Sequence, residues 1–592
     1  MAAAPRVNLR LARLALLAVL SLAPAAVAAP SGEFLPLSEV RPGLRGQART
    51  VVRGTTVETF DVEVLAIVPG AGPSGDLLLV RASGPLIRRT GGIAAGMSGS
   101  PVFVGGRLLG AIGFGWSFAD HTVGLVTPIE AMLRALPATR GHAPDPAPAR
   151  PLRRLARPVV LDDRVFTEIA FPADASAARR LPPHVLPALP VARPLLLSAA
   201  GTRAAQLLRD ELAPLGLVTV EGATGAAGDA RPPLVPGSAV GVQLARGDLN
   251  AVSIGTLTYR RGDALVAFGH PFLNRGPASF LLTPAVIHDV VRSTAFPFKV
   301  GSAGAAVGTV TEDRRAGIGG RIGPLPPMVG VRVQVTDRDR GRTTRLGTQV
   351  VRDRTLGPLL VLASAMSAVD RALDRVGEGT ARVRLALRGR GLDGPVVREN
   401  AFYHGRDIGS AALLELPEAL RLLFANEFVA TGPVDVTVEV EVEAGRQTAT
   451  ITDAAGVPPR VRRGEALPVR ITLRPFQGDA VVRTVELVVP DGFPLGGATV
   501  VVRAGGRPTP EQGLPALLLA EPVEPPAPSA AAQLARFAER DRNTDLVVEL
   551  VPGAARAPAV AADAPEQGAR SRSITPWVVR GRIAVPVVVD PR

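Results

Sequence analysis

Between Gly91 and Gly115 the chain reads GGIAAGMSGSPVFVGGRLLGAIGFG, and at its centre Gly96-Met97-Ser98-Gly99-Ser100-Pro101 places hydroxyl groups among glycines. A glycine accepts backbone angles and close approaches that a Cβ forbids. Such a turn can aim the N–H groups of Gly96 and Ser98 at one point. Backbone donors that converge in this way hold the oxyanion of a tetrahedral intermediate, and a serine beside them is a candidate nucleophile for acyl transfer. Val102-Phe103-Val104, the pair Gly105-Gly106 and then Leu108 to Ile112 read as strand, tight turn and strand, so the turn feeds a β-hairpin.

A serine hydroxyl is a weak nucleophile at neutral pH and needs a base in reach, usually histidine. The six histidines are His121, His142, His184, His270, His288 and His404, all after Ser98. The order is no obstacle, because equivalent triads occur in several chain orders. His270 has the best context: in Ala267-Phe268-Gly269-His270-Pro271-Phe272 it follows a strand, and glycine and proline shape the turn that presents it. His121, in the polar loop Phe118-Ala119-Asp120-His121-Thr122, is the rival. His142 falls in a proline-rich stretch, His288 on an expected helix and His404 in a later domain.

Thr90 to Pro101, TGGI followed by a short spacer and GMSGSP, resembles the nucleophile loop of trypsin-like peptidases (GDSGGP before a hairpin) and, more closely, that of the SpoIVB family of bacterial serine peptidases. The resemblance implies that Ser98 is the nucleophile. The stretch from Gly255 through Gly269-His270 is similar to the surroundings of that family's catalytic histidine, and Phe298-Lys299-Val300-Gly301, Gly308-Thr309-Val310 and Ala316 to Gly320 continue the likeness. It further implies a chymotrypsin-like double β-barrel with the site between the barrels, the serine and histidine halves standing in permuted order. The family carries an aspartate 15 residues before the nucleophile, where this chain has Ser83. Ser83 can orient an imidazole only weakly, and Asp76, Asp248 and Asp313 are the substitute acids. A Ser98–His270 dyad or an incomplete triad is therefore the expectation. No PDZ-like segment of the kind found in sporulation peptidases is recognisable.

With 592 residues the chain has room for several cores. It has no cysteine, which excludes disulfides, a thiol nucleophile and a cysteine metal site, and no cofactor or metal is expected. The formal charge is +14, but its cations are almost all arginine, with Lys299 the one lysine, and they lie scattered among acids. No basic stripe or aromatic platform forms, so nucleic acid is not an expected partner.

Residues 1–28 read as a signal peptide: Arg6, Arg10 and Arg13 precede an apolar run from Leu14 to Ala28 that ends in Ala26-Val27-Ala28. Export to the periplasm, envelope or exterior follows, with no later span long and apolar enough to anchor the chain. Residues 36–135 then form the serine-bearing half, 136–195 a Pro/Ala/Arg-rich linker with little core of its own, and 196–330 the histidine-bearing half. Residues 331–430 are mixed α/β. From Val434 to Val442 valines alternate with polar residues, which opens an expected C-terminal β-sandwich over 431–592. The fold class is mainly β. The functional expectation is an exported endopeptidase acting on a protein or peptide, with an envelope partner for the C-terminal region; the alternative is a peptidase-like scaffold that binds or assembles without catalysis.

Overall fold

Alternation of apolar and polar residues, as in Phe60-Asp61-Val62-Glu63-Val64, gives a strand one face to bury, and Phe60, Val62 and Val64 are indeed buried. The computed structural model describes residues 32–591 except 73–74, 116–119, 138–151, 162–163, 173–174, 191–192, 223–227, 391, 393, 426–427, 429–431, 507–513, 515–528 and 554–568. The signal segment and His142 lie outside the described residues.

Six strands make the first barrel: β1 (Arg45–Val51), β2 (Val57–Gly72), β3 (Gly75–Ser83), β4 (Pro101–Val104), β5 (Arg107–Gly115) and β6 (Val123–Pro128). They pair antiparallel in the ring β1-β2-β3-β6-β5-β4, which closes back on β1. Closure leaves no open edge around the ring. Thr127-Pro128-Ile129-Glu130 reads in sequence as a helix start capped by Thr127, but the short helix Ile129–Met132 has Pro128 as its N-cap. Thr127 Oγ1 instead donates to the carbonyl of Gly269 at 2.6 Å.

The stretch expected to be a bare linker carries structure. β7 (Leu152–Leu161), β8 (Arg164–Ala170) and β9 (Val185–Pro187) form a small sheet, and β10 (Leu189–Pro190) adds antiparallel to the end of β5. Phe166, Ile169 and Leu186 are buried with Phe114 and Leu125 of the first barrel. Its few apolar residues find their partners on the barrel, which proline and alanine content along the chain does not reveal.

β11 (Arg193–Ser198) and β12 (Leu217–Glu221) pair in parallel, joined by a helix over Thr202–Leu212. Next come β13 (Ala239–Gly247), β14 (Asn250–Arg261), β15 (Ala264–Ala267), β16 (Gly276–Val291), β17 (Phe298–Ala303), β18 (Gly308–Arg314) and β19 (Gly317–Ile322). Six of these close a second antiparallel barrel in the ring β13-β14-β15-β19-β18-β16, with β17 added on β16. Numbered by order of appearance, the two rings have the same sequence of strands, first-second-third-sixth-fifth-fourth. Ser98 and His270 therefore occupy equivalent places, each in the connection from third to fourth strand.

β20 (Met328–Asp337), β21 (Arg342–Val351), β22 (Gly379–Gly389), β23 (Val396–His404) and β24 (Pro433–Glu443) extend this sheet, since β21 pairs with β13. The alternating strand at 434–442 joins it too: β24 runs parallel to β20 and antiparallel to β22, so it is not part of the C-terminal sandwich. Alternation fixes which face is apolar and leaves the partner open. Helix Leu356–Leu373 is long and apolar enough for a membrane span, contrary to expectation, yet it is buried against β20 and β21. Beyond it, a four-stranded and a five-stranded sheet with strands between Thr448 and Asp590 enclose Ile471, Leu473, Val500, Val548 and Val587, forming the C-terminal sandwich.

Candidate active site

The Ser98 loop leaves β3 through helix Pro85–Thr90, which Gly91 terminates in the left-handed region at φ 75°. Most of the following N–H groups are used: Ile93 donates to His121 O, Ala95 to Pro297 O, Met97 to Ala94 O, Gly99 to Ile112 O and Ser100 to Met97 O, all within 2.7–2.9 Å. Among the described residues, the N–H groups of Gly96 and Ser98 have no acceptor. Gly96 and Gly99 both stand at φ 91°. At Gly99 a Cβ would lie 2.0 Å from the Thr256 carbonyl oxygen, so only glycine lets the loop press this closely on β14.

The second barrel holds the loop firmly. Thr256 N donates to Ser98 O at 2.8 Å, Thr256 Oγ1 to Gly96 O at 2.9 Å and Thr258 Oγ1 to Gly99 O at 2.7 Å. Ser98 is 4 % exposed. Ser100 Oγ is buried without a partner.

His270 follows two consecutive residues of positive φ, Phe268 at 74° and Gly269 at 69°. A bulky residue in that region is an outlier, and such strain collects at functional sites. The ring is buried against Phe114 and Phe268, with Nδ1 2.8 Å from Pro271 O and Nε2 buried without a partner. A donor at Nδ1 leaves the lone pair on Nε2, which is the tautomer a general base uses. Burial first, then the nearby Arg193 cation, push the imidazole down to about 3, against the opposing effect of its bond to Pro271. The Ser98–His270 hydrogen bond is not formed in this structure.

An unfolded chain takes up a proton near the ordinary histidine value of 6.5, while the folded ring refuses it until about 3. The stability from this difference is therefore complete above about 6.5 and is lost as pH falls toward 3. The unfolding midpoint of the wild type is expected to drop more steeply between pH 7 and about pH 4.5 than that of His270→Gln, as followed by circular dichroism. Parallel curves would mean the ring meets solvent.

Of the four acid or orienting candidates, Asp313 alone reaches the His270 loop. Its carboxylate is buried and accepts from the N–H groups of Phe272 and Leu273 at 2.7 Å each and of Arg275 at 3.3 Å. Burial raises its pKa, opposed by those three bonds and by Arg193. Arg193 itself donates to the carbonyls of Phe272 and Leu215. Asp313 thus anchors the backbone beyond the imidazole, and Pro271 O rather than a carboxylate meets Nδ1. Ser83 is exposed at the end of β3 opposite Asp61; Asp76 accepts from Gly70 N in the β2–β3 hairpin; Asp248 accepts from Gly347 N at 2.7 Å in an exposed turn.

The other histidines are engaged elsewhere. His121 borders the nucleophile loop, but its Nε2 lies 3.3 Å from Thr294 O and its ring packs on Phe296. His184 pairs with Glu168, and His404 Nδ1 accepts from Asp407 N. His288 is on strand β16, not a helix, with Nε2 2.8 Å from Ser302 Oγ. No cluster able to hold a metal occurs among the described residues. Sequence reasoning gave no role in the site to Thr127, Thr256, Arg193 or Lys299. The signals for Lys299 were its place in Phe298-Lys299-Val300-Gly301, which continues the family likeness, and its being the one lysine in a chain that otherwise uses arginine.

Two closed six-stranded antiparallel barrels, with a glycine-flanked serine loop of the first docked on the second, form a chymotrypsin-like double-barrel fold. Residues 35–133 match the family model described as SpoIVB peptidase S55, so the first barrel and its serine loop are similar to that family and support a serine peptidase of the SpoIVB kind. Searches of the curated proteins and of the solved structures returned no match.

Proposed function

We propose that this chain is an exported serine endopeptidase of the SpoIVB kind, with its serine and histidine barrels in permuted order, which cleaves an envelope or extracellular protein through an acyl-enzyme. Ser98 Oγ attacks the scissile carbonyl, His270 Nε2 takes the hydroxyl proton and returns it to the leaving amine, and the N–H groups of Gly96 and Ser98 hold the oxyanion. The observation that carries this reading is that the loop satisfies the N–H groups around these two and leaves these two unused. His270 must come within hydrogen-bond reach of Ser98 when the cleft is occupied; catalytic contacts are commonly long in unliganded enzymes.

The edge of β5 supports a peptide substrate. Ile112 exchanges bonds with Gly99 and Ser100 of the nucleophile loop, and immediately beyond it Phe114 and Gly115 pair with Pro190 and Leu189. An extended segment therefore already adds to the sheet beside Ser98, as a substrate's main chain does in strand addition. The C-terminal sandwich serves an envelope partner in this reading, by analogy of fold alone.

A fluorophosphonate serine-hydrolase probe tests the proposal on purified mature protein. Labelling of the wild type, lost in Ser98→Ala and reduced at least about a thousandfold in His270→Ala, is the expected result. The non-catalytic scaffold is favoured by one feature, the sealed and unpartnered Nε2 of His270. No labelling of folded wild type, before or after a cut between the barrels, would establish that alternative.

A further inference from the structure

Lys299 is the one lysine of the chain, lies on β17 and is 1 % exposed. Among the described residues no carboxylate pairs with it, which is unusual because buried cations are normally paired. Its bonds run to both barrels. Nζ donates to Thr50 Oγ1 of β1 at 2.9 Å and to Thr256 Oγ1 of β14 at 3.4 Å. Thr256 Oγ1 in turn donates to the carbonyl of Gly96 at 2.9 Å. The stem packs beneath the same glycine: a Cβ on Gly96 would meet Lys299 Cδ at 2.9 Å and Cβ at 3.1 Å. The backbone adds a third tie, with Lys299 N donating to Ala95 O at 2.9 Å and Ala95 N to Pro297 O at 2.7 Å.

We propose that Lys299 is the positioning residue of the oxyanion loop: its N–H holds the Ala95 carbonyl and so orients the peptide plane that carries the Gly96 N–H, its stem supports Gly96 from below, and its ammonium, through the hydroxyl of Thr256, fixes the next peptide at the Gly96 carbonyl, so that the Gly96 and Ser98 N–H groups stay turned away from internal acceptors. This rests on the serine peptidase reading above. Both Nζ bonds go to threonines, so Lys299 acts on the site through Gly96 and not by contact with the reacting atoms. Lysine suits the place because one compact ammonium reaches both threonine hydroxyls from a single nitrogen. Burial also lowers its pKa to about 7, as expected for an ammonium held by hydroxyls alone.

The test uses Lys299→Met and Thr256→Val in the full mature chain. Saturation kinetics with the fluorophosphonate separate binding, KI, from phosphonylation, kinact, in which an oxygen enters the hole. A fall in kinact on the order of tenfold to a hundredfold in both variants, with KI within about twofold, is expected. Thr256→Val keeps the ammonium and removes only the bridging hydroxyl, so it still reports if Lys299→Met fails to fold. Unchanged kinact in a folded variant overturns the proposal. If the wild type itself is not labelled, the peptidase reading fails separately, and crystal structures of wild type and variant then decide the role of Lys299: a displaced Gly96 carbonyl supports it, and an unmoved loop overturns it.

Discussion

Gly99→Ala is expected to abolish fluorophosphonate labelling and to lower the unfolding midpoint of the barrel pair by about 10 °C. The added methyl would stand 2.0 Å from Thr256 O, 2.5 Å from Phe268 N and 3.0 Å from Phe268 Cα, all backbone atoms with no rotamer to yield. Relief requires the loop to withdraw from β14, which breaks the bonds from Thr256 N to Ser98 O and from Thr258 Oγ1 to Gly99 O. Gly99 itself holds φ 91°, so alanine is strained there even in open space. Phe268 carries the strained turn before His270, so one methyl would disturb both the proposed nucleophile and the proposed base. Differential scanning calorimetry with probe labelling checks this; a midpoint within about 2 °C of wild type would show that the barrels do not meet as described.

The second large effect concerns the segment between the barrels. Leu189 and Pro190 pair with Gly115 and Phe114, the residues that follow Ile112 along the edge of β5 beside the nucleophile loop. The chain's own main chain thus occupies the place proposed for substrate, and an intramolecular strand competes at high effective concentration. Arg179 and Arg180 are exposed just before β9, so a specific protease site placed there can be cut in the folded protein. Cutting is expected to raise the labelling rate by about tenfold or more, the gain when a site blocked nine-tenths of the time is freed. Equal rates before and after complete cutting would mean that β10 does not obstruct the cleft.

Much of the candidate site was legible because it depends on local chemistry. GMSGSP needs its glycines for turns with positive φ, and Gly96 and Gly99 take them; FGHP marks a turn, and Phe268 and Gly269 make it. Strand alternation likewise announced two β-rich units. The anchoring carboxylate was not legible by counting, since the position fifteen residues before Ser98 is the exposed Ser83, whereas Asp313 reaches the backbone of the His270 loop from β18, 43 residues downstream of His270. Ring closure made that approach, because β18 and β15 both pair with β19.

By itself the sequence determined which residues are candidates for the chemistry, which strand faces are apolar and where the turns fall, for these follow from side-chain type and from periods of two along the chain. The tertiary structure alone decided who meets whom. It gave the alternating strand at 434–442 to the barrel-bound sheet, packed the apolar helix Leu356–Leu373 inside, and paired part of a proline-rich linker with the end of β5. It also set the charge states of the site: His270 is pushed down to about 3 and Lys299 to about 7. The reason is that desolvation belongs to the surroundings a side chain acquires on folding, and no spacing along the chain encodes it directly.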